Sequence, residues 1–301
     1  MRPSATCGAL SPTNQHRQKG TPNTMATWLI TGCSSGIGRA LAQALLARGN
    51  NVVATARDAG TVQDFTDAHP ENALALPLDV TRRSQVIAAV KAAEERFGRI
   101  DVLVNNAGYG YRAAIEEGED EALRTLFATN VFGPVTMIQA VLPGMRARRA
   151  GAIVNISSIG VRIAPAGSGY YAATKAALEA ITSSLSKEVT PLGITATTVE
   201  LGAFRTDFYG RSLTEARQPI DDYAETAGLR RKEHQVTTGQ QGDPAKAAQA
   251  VIAVVEGGRP PVLLVLGPDA VGVFRKSLDA LGAEVDAFET VAMSTDFASA
   301  T

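Results

Sequence analysis

The chain has 301 residues, 45% hydrophobic and 20% charged, with a formal net charge of −1 and both signs interspersed. That length suits one large α/β domain or two small ones, and the balanced charge implies neither nucleic acid nor an anionic membrane as partner. No apolar run approaches the roughly 18 residues that span a bilayer, and the two cysteines, Cys7 and Cys33, make no disulfide framework and fit a reducing, cytoplasmic compartment.

Residues 1–24 read as a disordered leader. The stretch is polar, carries Arg2, Arg17 and Lys19 without an acid, and lacks the apolar core of a secretory signal. Pro3, Pro12 and Pro22 oppose the amphipathic helix of a transit peptide, and a true start at Met25 is the other explanation. From residue 27 onward, short β-branched runs at 27–31, 51–56, 73–78, 100–105, 152–157, 194–200 and 262–267 predict strands. Between them lie helical stretches rich in Ala, Leu, Arg and Glu, such as 38–49 and 82–98. Near-continuously apolar strands alternating with helices predict a doubly wound parallel sheet of about seven strands, covered on both faces. We expect one domain over 25–285, with a long mixed-charge segment at 203–240 covering something, and a tail at 286–301.

The first strand runs into Thr31-Gly-Cys-Ser-Ser-Gly-Ile-Gly38, which opens the first helix. Gly32, Gly36 and Gly38, with Ser34, Ser35 and Ile37 between them, form a candidate cradle for a pyrophosphate at the positive end of a helix. The second strand ends at Ala56-Arg57, where an NAD-binding unit carries an acid for the ribose hydroxyls. A missing carboxylate and an added guanidinium predict NADP in preference to NAD. Further on, Tyr171 precedes Lys175 by four residues. On a helix these side chains share a face, whereas the neighbouring Tyr170 faces Thr174.

TGCSSGIG, LDV at 78–80, NNAG at 105–108, Asn130-Val131, ISS at 156–158, YAATK at 171–175 and FRT at 204–206 occur in the order seen in short-chain dehydrogenases/reductases, and the chain resembles that family over roughly 26–267. The resemblance implies a Rossmann fold and the tetrad Asn130, Ser158, Tyr171 and Lys175. In that tetrad Tyr171 is the acid/base, Lys175 favours its phenolate and meets the nicotinamide ribose, and Ser158 polarises the substrate oxygen. Asn130 holds a water that relays protons. It also implies that Asp79 and Val80 bracket the adenine, that Asn106, Ala107 and Gly108 pass close to the cofactor, and that Phe204 and Thr206 lie on it, Thr206 at the nicotinamide amide. Tyr170 lines the cleft or packs. No metal site is implied.

The implied activity is interconversion of an alcohol and a ketone or aldehyde. A non-catalytic nucleotide sensor, or an epimerase or dehydratase using the cofactor transiently, are the rivals. Tyr109, Tyr111, Ile115, Ile163, Phe204, Phe208, Tyr209 and Tyr223 suggest a medium-to-bulky lipophilic substrate. The helices carrying Asn130 and Tyr171 are apolar on several faces, which suggests a homodimer or homotetramer. One departure stands out: the family usually has Pro-Gly after the sixth strand, and this chain has Leu201-Gly202, which predicts a looser root for the covering segment.

Overall fold

The computed structural model describes residues 25–210, 212–232 and 239–297. The expected leader at 1–24, with Cys7, lies outside the described residues, as do 211 and 233–238 of the covering segment and 298–301 of the tail. In chain order the elements begin with β1 Thr27–Ile30, α1 Gly36–Leu46, β2 Asn51–Ala56, α2 Gln63–Ala68, β3 Ala73–Pro77, α3 Arg83–Phe97 and β4 Val102–Asn105. They continue through β5 Gly110–Arg112, α4 Asp120–Phe127, α5 Gly133–Arg148, β6 Gly151–Ser158, α6 Gly160–Ile163, α7 Gly169–Val189 and β7 Ile194–Leu201. The remainder is β8 Leu213–Glu215, α8 Ala227–Lys232, α9 Pro244–Glu256, β9 Leu263–Leu266, α10 Pro268–Ala287 and α11 Glu289–Met293.

All seven predicted strands are present and form one parallel sheet in the order β3-β2-β1-β4-β6-β7-β9. The order reverses between β1 and β4, which opens a crevice beyond their carboxyl ends. Alternation along each strand divides the core. Trp28 and Ile30 point to the face covered by α1 and α9, where Leu41, Leu45, Val251 and Ile252 are buried. Leu29, between them, points to the face covered by α3, α5 and α7, with Val86, Met137, Val141 and Leu185. Each large side chain buried in these layers contributes about 1.5–3 kcal/mol relative to exposure.

The continuous helical run Asp120–Arg148 is, by length and composition, apolar enough to cross a membrane, contrary to the expectation of no such run. Its Leu126, Val131, Met137, Ile138, Val141 and Met145 are buried in the domain, which accounts for that apolarity.

Two features were not foreseen. A second sheet pairs β5 with β8 in parallel, Gly110 to Arg112 against Leu213 to Glu215, and so draws the segment after β7 back across the crevice. The root of that segment is also pinned rather than loose. Leu201 is paired on both sides, with Ser158 and Leu266. The Gly202 N–H donates to Leu266 O at 3.0 Å, and the Ala203 N–H donates to Asp269 Oδ2 at 2.7 Å. Leucine suits this place because it packs on the core in an interior strand, where proline is disfavoured.

Candidate active site

The glycine turn is shaped by contacts that leave no room for side chains. Gly32 and Gly36 have φ of +74° and +58°. A Cβ on Gly38 would lie 2.4 Å from both Asn106 Nδ2 and Gly32 O. Asn106 Nδ2 donates to Thr31 O and Gly32 O, both at 2.9 Å, and Thr31 Oγ1 accepts from the N–H groups of Asn106 and Ala107, both at 3.0 Å. Thr31 and Asn106 therefore staple the ends of β1 and β4 together beneath the turn. The Ser35 side chain does not cap α1, so the helix presents its first-turn N–H groups outward, as an anionic group requires. Ile37 packs into the core, so only its backbone can serve a ligand. Cys33 is buried and donates to Ile30 O, and burial pushes its thiol up to about 12, which excludes a thiolate nucleophile.

At the rim, Asp79 Oδ1 accepts from the N–H and hydroxyl of Thr81 at 3.0 and 2.7 Å. Burial alone would raise its pKa, but the Thr81 bonds, with the charges of Arg82 and Arg57, hold it below the usual value. Val80 is buried, and a Cβ on Gly133 would strike its Cγ2 at 2.6 Å. Thr206 lies over the turn, its Cβ 3.3 Å from where a Gly36 Cβ would be, and its hydroxyl caps Phe208 N. Phe204 is elsewhere: its ring is in the core cluster, 9% exposed, so it offers the crevice backbone only.

The carboxyl end of β6 brings Ser158, Tyr171 and Lys175 together. Ser158 Oγ accepts from Gly160 N at 3.1 Å, and a Cβ on Gly160 would lie 3.3 Å from Ser158 Oγ and 3.9 Å from Tyr171 Cε1, so the hydroxyl and the phenol ring flank the same space. Strand alternation sends Ser157 to the other face, where it donates to Glu179 Oε1 at 2.6 Å. Lys175 Nζ donates to Ile156 O at 2.8 Å and lies 5.8 Å from the Tyr171 ring centroid. Burial dominates both groups, pushing Tyr171 up to about 12 despite the nearby Ser158 hydroxyl, and Lys175 down to about 8 despite the Glu179 charge. The phenolate that a neighbouring ammonium was expected to favour is thus opposed by desolvation, and Tyr171 is a neutral phenol at neutral pH. Helix α7 is set against the sheet by a buried polar ladder, Asn105 Nδ2 to Asn155 Oδ1 and Asn155 Nδ2 to Thr182 Oγ1, both 2.8 Å.

Asn130 sits in a single π-turn, Ala128–Phe132, between α4 and α5. Its amide oxygen accepts from Tyr109 N at 3.1 Å, and its nitrogen donates to Tyr109 O at 2.9 Å and Thr174 Oγ1 at 3.1 Å. A Cβ on Gly108 would come 3.1 Å from Asn130 Oδ1 and 3.5 Å from Lys175 Nζ, so this glycine keeps the crevice floor open.

Several contacts around the crevice had no signal in the sequence. Phe208 packs against Tyr171 with the rings tilted by 50° and centroids 5.6 Å apart, and Tyr209 meets Phe208 edge-on. Tyr170 turns away, its hydroxyl donating to Ile115 O at 2.5 Å and its ring 6.2 Å from Tyr111. Glu117, fully buried, accepts from Ala114 N, Ile220 N and both Arg231 Nη atoms, tying α8 and β8 to the loop after β5. Of the side chains expected to line a substrate pocket, Tyr111 and Phe204 are packed in cores instead.

The chain matches the family model described as short chain dehydrogenase over residues 26–217. It is 35% identical over 270 residues to "Oxidoreductase BOA17" of Botryotinia fuckeliana, covering 89% of this chain and 98% of that protein. It superimposes on a short-chain dehydrogenase from Streptomyces avermitilis with a TM-score of 0.85 and 42% identity, covering 92% of this chain and all of that one. A 3-ketoacyl-(acyl-carrier-protein) reductase from Brucella melitensis, solved with NADH, matches with a TM-score of 0.67 and 25% identity over 80% of this chain and 96% of that one. A short-chain dehydrogenase/reductase from Burkholderia phymatum, solved with NAD, shares the fold at a TM-score of 0.76 and 23% identity, over 86% and 95% of the two chains.

The Brucella melitensis complex with NADH overturns the expected preference for NADP over NAD. The structure shows why Ala56-Arg57 was a weak guide. Arg57 is exposed and exerts its charge on the Asp79 carboxylate, so its presence does not commit the rim to a 2′-phosphate. With the glycine cradle, the uncapped start of α1 and the open floor at Gly108 all shaped for a dinucleotide, this chain belongs to the short-chain dehydrogenase/reductase family and is an NAD(P)(H)-dependent oxidoreductase acting on alcohol and ketone groups.

Proposed function

We propose that the protein interconverts a secondary or primary alcohol and its carbonyl on a medium-to-bulky lipophilic substrate, within one domain spanning 25–285. The observation that carries this is the convergence of Ser158, Tyr171 and Lys175 at one strand end, beside a floor held open by Gly108. The cofactor, when bound, supplies or accepts the hydride; the chain handles the proton. In reduction, Tyr171 donates its phenolic proton to the substrate oxygen, which Ser158 Oγ orients. The developing phenolate is stabilised by the nearby Lys175 ammonium, whose lowered pKa lets it return a proton near neutrality. Asn130, which holds the Tyr109 backbone against the crevice, would hold a water that relays protons to Lys175, and Thr206 would meet the nicotinamide amide.

A lipophilic substrate is supported by Phe208 packed against the Tyr171 ring, with Tyr209 edge-on to Phe208, and by the exposed Ile163 on α6. The segment after β7 serves as a lid, clasped through β8 and Glu117–Arg231. The test is a panel of ketones graded by size, with NADH and NADPH in parallel, followed by cofactor absorbance. Rates rising with apolar bulk are expected. Equal rates on small polar ketones would sink the substrate assignment, and cofactor binding without turnover on any ketone would favour a sensor.

A further inference from the structure

From Leu278 through Phe297 every residue is exposed, although α10 is helical to Ala287 and α11 continues to Met293. The first half of α10 is seated on the domain. Ala270 is buried, Val273, Phe274 and Ser277 are half-buried, and the Arg162 guanidinium stands 5.0 Å from the Phe274 ring centroid. Beyond Ser277 the helix leaves the domain as an arm, about 15 Å long as far as Ala287. A helical segment of that length is marginal in water unless one face is packed.

The arm carries a face of that kind, which begins on the seated half of the helix. Val271, Phe274, Leu278, Leu281, Val285 and Phe288 follow each other at alternating three- and four-residue spacing, the pattern of an apolar seam that packs on another helix. Leu281 is 56% and Phe288 67% exposed. The seam is also self-complementary when reversed. Two copies set antiparallel about the midpoint between Asp279 and Ala280 pair Leu278 with Leu281, Phe274 with Val285, and Val271 with Phe288.

Charge selects the same arrangement. Between Leu278 and Met293 the chain has Asp279, Glu284, Asp286 and Glu289 and no lysine or arginine, while Arg275 and Lys276 stand at the base of the arm. Antiparallel pairing brings Glu284 and Asp286 of one copy to the level of Arg275 and Lys276 of the other; parallel pairing sets acids beside acids. An all-acidic arm is also the wrong sign for an anionic lipid surface or nucleic acid. We propose that this arm is a dimerisation element, pairing antiparallel with the arm of a second copy to close a two-fold assembly.

The test is the mass of the full chain in sedimentation, beside a Leu281→Glu/Val285→Glu variant. The parent is expected at an even multiple of the monomer mass and the variant at half the parent value, with NADH affinity and melting temperature retained. A monomeric parent, or a folded variant of unchanged mass, overturns the proposal. Crosslinking covers the case in which that variant misfolds. In a Cys7→Ser background, differently tagged Leu278→Cys and Leu281→Cys chains are co-expressed. They are expected to form a disulfide-linked species carrying both tags, with neither linking to itself. Self-linking without the mixed species would mean parallel arms and would also overturn it, as would arm-dependent flotation of a monomer with phosphatidylserine vesicles.

Discussion

Replacing Arg231 by Met should unlatch the segment after β7 without unfolding the domain. Glu117 is fully buried and accepts four hydrogen bonds, from Ala114 N at 2.6 Å, Ile220 N at 2.8 Å, and Arg231 Nη1 and Nη2 at 2.6 and 3.2 Å. Removing the guanidinium leaves the carboxylate two backbone donors, so the loss falls short of the 3–5 kcal/mol typical of stranding a buried charge, at about 2–3 kcal/mol. The carboxylate can also escape by letting β8 and α8 swing out into water, which confines the loss to local opening. The open population should then rise roughly 30- to 150-fold. Hydrogen exchange at Leu213–Glu215 and Ile220 reads this directly, and amides of β1 and β4 serve as the control. Acid should have the same effect. Burial by itself raises the Glu117 pKa, but the Arg231, Ile220 and Ala114 bonds outweigh it and hold the carboxyl below its ordinary value. A depressed folded pKa means the latch is fully present above the unfolded value of about 4.3 and is lost as pH falls through the folded one. Glu117→Gln should remove that acid response. Unchanged exchange at β8 in Arg231→Met, or equal acceleration in the central strands, would refute a separable latch.

Tyr171→Phe should abolish turnover while cofactor affinity stays within about twofold, because only the proton donor is removed; Tyr170→Phe, which loses a bond to Ile115 O, should keep most activity, and equal losses in the two variants would refute the assigned roles. Reduction rates should fall as pH rises through about 8, where Lys175 loses its proton, and a profile flat well past that value would show that Lys175 does not supply the proton. Gly38→Ala should weaken binding of NADH and NADPH together and lower stability by about 1–3 kcal/mol, since its Cβ would fall 2.4 Å from Asn106 Nδ2 and Gly32 O; calorimetry and thermal melts check both. Leu201→Pro should lower the melting temperature rather than steady the lid, because it places proline in an interior strand of the sheet and empties a core position; a raised melting temperature would contradict this.

What the sequence alone determined about this protein is whatever depends on local pattern. The alternation of short apolar runs with helical stretches specified seven strands and their parallel pairing, because period-2 burial and crossover helices admit few other layouts. The glycine turn was legible because positive φ and close backbone approach restrict the residue type at a few adjacent positions. Tyr171 and Lys175 were legible because one helical turn links them. What only the tertiary structure decided rests on contacts between residues far apart in the chain. Thr31 staples Asn106 from 75 residues away, Arg231 latches Glu117 across 114, and β5 pairs with β8 through strands too short to leave a period. Burial belongs to this second class too. Whether Tyr171 is a phenol or a phenolate depends on how much water the assembled crevice excludes, and here desolvation outweighs the Ser158 hydroxyl and the Arg112 charge that pull the other way. The arm of α10 shows the same division: its three- and four-residue spacing is written in the chain, but only the fold reveals that from Leu278 on the described residues leave it exposed.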